Sequence, residues 1–280
     1  MNWLELADGV YARRYEELDL TVGLVVGSER CLVVDVRGDV DQGAELAAAV
    51  REITPLPWSV VYTHAHFDHA FGTTPFLPCD VWAHEGCVAE LAEFGEQARR
   101  KWMAKMESEN RPEMAAALER TEITLPGKLV TDTAVIDLGG RTAVLRFLGR
   151  AHTDHDLFVH VPDAGIIYAG DAVENAPFEA RFPAEKASSQ AGFSAYSFND
   201  GSSLEEWPAV MDAILALEPR IIVAGHGDPV DGPFIEKHRD GLRELLALKT
   251  AIAAGDLTTD EAVVRSSYPD DVTKAALATS

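Results

Sequence analysis

Two patterns that alternate along this chain predict an α/β protein, and a third locates its business end. Short apolar, β-branched runs bounded by glycine or turn residues read as buried strands, among them Cys31-Leu32-Val33-Val34, Thr142-Ala143-Val144-Leu145-Arg146-Phe147 and Ile221-Ile222-Val223-Ala224. Stretches with apolar residues every three or four positions lie between them and read as helices. Histidine or aspartate stands just beyond four of the strands, so that four strand ends converge on one point.

The elements follow in order. Val10 to Val36 is a set of short strands, with Ser28-Glu29-Arg30 turning between Leu24-Val25-Val26 and Cys31 to Val34. Asp41 to Ile53 is helical, with Asp41 as its cap and Leu46, Val50 and Ile53 on one side. The run Trp58-Ser59-Val60-Val61-Tyr62 leads into Thr63-His64-Ala65-His66-Phe67-Asp68-His69. From Glu85 to Arg120, Val88, Leu91, Phe94, Ala98, Trp102 and Met106 recur at helical spacing, and Pro112 separates this helix from a shorter one over Glu113 to Glu119. Strands over 142–147 and 165–168 come next. Glu174 to Ser203 is irregular, with Phe178, Phe182, Phe193, Tyr196 and Phe198 among small and polar residues. A helix from Ser203 to Leu217, the strand at Ile221, a long helix from Phe234 to Ala254 and short helices over 257–280 complete the chain.

The chemistry is densest in His64-x-His66-x-Asp68-His69. Histidine supplies only 9 of 280 residues, so composition does not account for three of them within six positions. Borderline divalent cations prefer neutral imidazole with an occasional carboxylate. In an extended loop residues two apart point the same way, so His64 and His66 can share one ion, while Asp68 and His69 face a second beyond the turn. His152, Asp171 at the end of Ala169-Gly170-Asp171, and His226 within Gly225-His226-Gly227 are the further ligand candidates.

Together these residues resemble the metallo-β-lactamase fold superfamily of binuclear metallohydrolases, over about Thr21 to Gly227. The resemblance implies a four-layer αβ/βα sandwich with a helical insertion at about 85–120. It implies one metal held by His64, His66 and His152, a second held by Asp68, His69 and His226, and Asp171 as the bridge. An aspartate at the place of Asp35 commonly supports the metal loop in this superfamily; otherwise Asp35 is an ordinary turn residue. Two divalent ions are expected, zinc first, with iron or manganese as alternatives. Such a centre makes hydroxide from water at neutral pH and suits an ester, lactone, thioester or amide bond, with Asp68 orienting the nucleophile. Glyoxalase II-type thioesterases and many lactonases of the superfamily carry His-Thr-Pro-Gly-His where this chain has His152-Thr153-Asp154-His155-Asp156. The zinc β-lactamases with a full second site place cysteine where Asp171 stands, which counts against β-lactamase activity.

Specificity is expected from the insertion and the aromatic segment, with Trp102, Phe182, Phe198 and His155 as the candidate substrate contacts. The alternatives are an iron-dependent oxidoreductase of the same fold, a phosphodiesterase and a non-catalytic metal-binding protein. With 24 basic against 46 acidic residues the net charge is −22, which argues against nucleic acid and anionic membrane as partners and for a small-molecule substrate. A hydrophobic content of 47% over 280 residues supports one large domain, 1–280, with C-terminal helices at about 234–280, of which the short ones over 257–280 serve as a cap or a homo-oligomer arm. No apolar leader or membrane span is evident, and the odd number of cysteines, Cys31, Cys79 and Cys87, points to free thiols and a cytoplasmic protein.

Overall fold

The computed structural model describes residues 2–175, 192–199 and 201–279. A seven-stranded sheet runs in sequence order: β1 (Leu4–Ala7), β2 (Val10–Arg14), β3 (Thr21–Val26), β4 (Cys31–Val34), β5 (Trp58–Val61), β6 (Val81–His84) and β7 (Lys128–Val130). β1 to β4 pair antiparallel because tight turns join them. β4 to β7 pair parallel because helices carry each crossover: α1 (Val40–Ile53), α2 (Phe67–Ala70), then α3 (Glu85–Ser108) and α4 (Pro112–Arg120). The second sheet contains β8 (Thr133–Asp137), β9 (Thr142–Phe147), β10 (Leu157–Val161) and β11 (Ile166–Tyr168). A two-residue strand, β12 (Glu174–Asn175), precedes β13 (Ile221–Val223), which joins that sheet parallel to β11, and β14 (His226–Gly227) pairs with β12. Helices α5 (Trp207–Ala216), α6 (Gly232–Ala253), α7 (Thr259–Arg265) and α8 (Asp270–Ala278) belong to this half.

The period of two along the strands builds the layers. Val25, Leu32, Val34 and Val61 face Leu157, Val159, Tyr168 and Val223 of the other sheet. Their neighbours Leu24, Val33 and Val60 pack with Leu46 and Val50 of α1 and with Leu91 and Leu118 of the insertion. On the far side Phe158, Ile167 and Ile222 pack with Trp207, Ile214, Leu242 and Leu245. The result is helix, sheet, sheet, helix, as expected for the αβ/βα sandwich.

Two local readings are corrected. Asp39, not Asp41, caps α1, accepting the Asp41 and Gln42 amides at 3.0 and 2.9 Å, because its extended backbone turns its carboxylate onto those free N–H groups. Phe94, one of the apolar residues at helical spacing in α3, is exposed and does not join Leu91 and Met106 in the core. No helix among the described residues is long and apolar enough to cross a membrane, and the three cysteines are free thiols.

Candidate metal centre

Every residue of the centre leaves the end of a strand. The loop after β5 carries His64 and His66, and α2 carries Asp68 and His69. His152 lies between β9 and β10, Asp171 in the turn after β11, and His226 in β14 just beyond β13. Two glycines allow the crowding. A Cβ on Gly225 would lie 2.0 Å from Asp171 Oδ1, and Gly170, at φ +52°, would thrust one to 2.7 Å from Thr63.

The sequence-predicted ligands come together as two groups. Atoms of His64, His66, His152 and Asp171 lie within 4.8 Å of one another, as do atoms of Asp68, His69 and His226. Asp171 stands between the groups: its Oδ2 is 3.7 Å from His152 Nε2 and 3.1 Å from His226 Nε2, and its Oδ1 is 3.2 Å from His69 Nε2. Asp68 Oδ2 is 3.5 Å from His226 Nε2.

Hydrogen bonds behind the imidazoles select their tautomers. His152 Nδ1–H donates to the Ser197 carbonyl at 2.8 Å and His226 Nδ1–H to the Leu18 carbonyl at 2.7 Å. His69 Nδ1 meets the Asp35 carboxylate at 2.8 Å. The Thr63 hydroxyl donates to the same carboxylate at 2.8 Å, which leaves it to accept from His64 Nδ1 at 3.0 Å. Four Nε2 atoms are thereby turned toward Asp171. Asp35 is a support and not merely a turn residue.

Burial holds His64 and His66 well below the ordinary imidazole range, and mutual repulsion among the clustered histidines adds to it. Burial pushes His69 the same way, but Asp171, Asp35 and Asp68 outweigh it and hold the ring well above that range. Asp171 would be raised by burial, yet the neighbouring His226 and His69 keep it well below the carboxylate range. The donor set also fits cations by a separate test. His64 Nε2 is buried and has no hydrogen-bond partner among the described residues, while His69 Nε2 and Asp171 Oδ1, 3.2 Å apart, are buried and have no aligned one; an orphaned buried polar atom costs about 1–3 kcal/mol. Divalent metal ions in this cluster of nitrogen and oxygen donors would satisfy all three.

The centre forms the floor of a cavity of about 320 Å³ that reaches His66, Asp68, Asp171 and His226. Trp102 lines it, stacked on Phe67 at 4.0 Å between ring centres, and so does Phe198. Phe182 lies outside the described residues. His155 belongs elsewhere: it is fully buried and absent from the lining, its Nε2 accepting the Ala65 N–H at 3.2 Å and its Nδ1–H donating to Asp154 at 2.7 Å. It props the loop that bears His64 and His66 and has no face left for a substrate. Leu18, Lys101, Glu174 and Asn199 also line the cavity and were missed from sequence. Glu174, three residues beyond Asp171, could have been suspected from that spacing; Leu18 carries no sequence signal.

The family description "Metallo-beta-lactamase superfamily" matches residues 17–226. Acyl-coenzyme A thioesterase MBLAC2 of Gallus gallus is 28% identical over 160 residues, 54% of this chain and 57% of the relative, so the chain spans little more than half of that protein's length. Among solved structures, the sec-alkylsulfatase Pisa1 from Pseudomonas sp. superposes with a TM-score of 0.74 at 14% identity, covering 99% of this chain and 47% of that one. A metallo-beta-lactamase from Pontibacter korlensis gives 0.62 at 15% identity, covering 86% of this chain and 98% of its own. At such identities these likenesses speak for the fold, while the family match spans most of the chain and all seven residues of the centre: the chain belongs to the metallo-β-lactamase superfamily of metallohydrolases.

Proposed function

We propose that this chain is a binuclear metal-dependent hydrolase of a carboxylic ester, lactone, thioester or amide, with an acyl thioester as the first substrate to test. The observation that carries the reading is the pair of ligand groups, with Asp171 of the first standing against His69 and His226 of the second, at the floor of a partly apolar cavity. His64, His66 and His152 would hold one ion, Asp68, His69 and His226 the other, and Asp171 both. Bound there, divalent cations lower the pKa of water toward neutrality and draw charge from the carbonyl oxygen under attack.

The chain's own residues supply the rest. Asp68, at the cavity floor, is placed to take the proton of the attacking water and return it to the leaving group. Leu18, Phe67, Trp102 and Phe198 offer an apolar wall that excludes water and accepts an acyl chain. Lys101 offers a cation at the cavity to an anionic leaving group, and the net charge of −22 weighs against nucleic acid as a substrate. The thioesterase relative supports the same choice. A soluble, cytoplasmic setting accords with free thiols.

The test is metal analysis with a substrate panel of esters, lactones, thioesters, β-lactams and phosphodiesters, using protein reconstituted separately with zinc, iron and manganese. Two equivalents of metal are expected, zinc giving the active form, with turnover of carbonyl substrates abolished by chelation and restored by the ion. His69→Ala should lose one equivalent and His64→Ala the other. Protein that carries two equivalents but turns over no carbonyl substrate would refute the assignment to carbonyl hydrolysis, and a single equivalent in both the parent and His69→Ala would refute the binuclear one.

A further inference from the structure

Resting on the two-ion reading above, we propose that Glu17 is a positioning residue for His226, and that through it the helical insertion bears on the affinity of the second ion. His226 Nδ1 is 2.7 Å from the Leu18 carbonyl oxygen. That oxygen is aimed by a backbone that ordinary residues avoid: Leu18 has φ 56° and ψ 7°, and Asp19 has φ 57°. Two consecutive left-handed residues without glycine cost about 1–3 kcal/mol each and persist only where neighbours hold them.

The holding groups lie on both sides. The Glu17 carboxylate accepts from Arg111 Nη2 at 2.8 Å on one oxygen, and from Arg37 Nη2 at 3.1 Å and Gln42 Nε2 at 2.8 Å on the other. Asp19 accepts from Arg14 Nη2 at 2.7 Å. One exposed ion pair would be a weak restraint; three donors converging on one carboxylate form a fixed geometry.

Arg37 gives the arrangement its meaning. It stands at φ 70°, two residues after Asp35 at φ 63°, and Asp35 meets His69 directly. Both imidazoles of the second group are therefore oriented from the same turn after β4, His69 by contact and His226 through Arg37, Glu17 and Leu18. Arg111 sits between α3 and α4, so the insertion that carries Trp102 is fastened to the same carboxylate. In the first group His152 leans on the Ser197 carbonyl, and His64 reaches Asp35 through Thr63 without passing through Arg37, Glu17 or Leu18.

The relay predicts a selective effect. Metal-free protein is titrated with Zn2+ against a chromophoric chelator, for the parent chain, Glu17→Gln, Arg111→Ala and Arg111→Lys. The binding step that disappears in His69→Ala should weaken about 10- to 100-fold in Glu17→Gln, while the step that disappears in His64→Ala keeps its parent value. Arg111→Ala should shift the same step by less, and Arg111→Lys should recover part of the loss. Glu17→Gln with native circular dichroism and either both steps unchanged or both weakened equally would overturn the proposal. If Glu17→Gln does not fold, Arg111→Ala decides by the same criterion. A parent chain with one binding step would overturn the two-ion reading, and this inference with it.

Discussion

The floor and the wall of the cavity are built differently. Just beneath the floor, His64, His69 and His152 are buried to within 1% of full coverage, and each is held from behind through its Nδ1 atom. The wall is looser. Trp102 is half-buried, Tyr196 is 42% exposed, and Lys105 Nζ joins them, lying 4.8 Å from each ring centre and 3.2 Å from the Tyr196 hydroxyl. The difference teaches that the sandwich itself positions the buried ligand candidates, whereas the additions between its strands line the cavity above them. Changes to the floor should therefore abolish chemistry for every substrate, and changes to the wall should reorder substrates.

Asp171→Asn tests the floor and carries the largest expected effect. It keeps the shape of the side chain but removes the anionic charge shared by the two groups, so activity on all substrates should fall by roughly a hundredfold or more, with loss of a metal equivalent and an unchanged circular dichroism spectrum. Undiminished turnover in the folded variant would remove Asp171 from the centre. The wall comes next. Trp102→Ala and Phe198→Ala should keep both metals and alter the ratio of kcat/KM between long-chain and short-chain substrates by about tenfold. Phe198 is buried against Phe193 and Trp207, so its truncation should also lower stability by about 3 kcal/mol, which the half-exposed Trp102 should not. A constant substrate ratio in both variants would reduce these rings to scaffold.

The last effect concerns what lies behind the wall and touches stability alone. His238 on α6 is buried and stacked on Phe193 at 3.9 Å, and burial pushes its pKa down to about 3. The unfolded chain takes up a proton near pH 6.5 that the folded chain refuses until about pH 3. Between those values the unfolded state binds more protons, so stability contributed by neutral His238 is intact above pH 6.5 and declines on acidification, by at most about 1.4 kcal/mol per pH unit. Denaturant midpoints from pH 7 to pH 4 should fall less steeply in His238→Gln than in the parent. Identical slopes would show that other groups govern the acid sensitivity.

Much of the centre was legible because its residues end apolar runs: a strand that stops at a histidine beside glycine declares both the backbone path and the ligand. The crossover helices were legible from their spacing, and Pro112 does open α4. What escaped depends on direction. His155 lies only three residues from His152, and nothing in its neighbours reveals that its ring turns inward to receive the Ala65 amide. Asp39 and Asp41 are equally good caps on paper; backbone angles choose between them. Leu18 is an ordinary apolar residue whose contribution is a carbonyl oxygen, and the contact joins positions 208 residues apart. Short-range patterns carry no trace of such a pairing.

Tyr168 offers a last consequence. Its ring fills the space where a Cβ on Gly23 would come within 2.2 Å, and its hydroxyl crosses from the second sheet to donate to the Tyr11 carbonyl at 2.9 Å. The two sheets thus meet through a fitted contact, and the ligands are divided between the two halves of the chain: His64, His66, Asp68 and His69 follow β5 of the first sheet, while His152 and Asp171 follow β9 and β11 of the second and His226 lies just beyond β13. Neither half holds a complete ligand group until the sheets have docked. During folding, ions could reach full affinity only after that long-range step, and once bound they would oppose its reversal by mass action, making the metal a clasp between two halves of one chain.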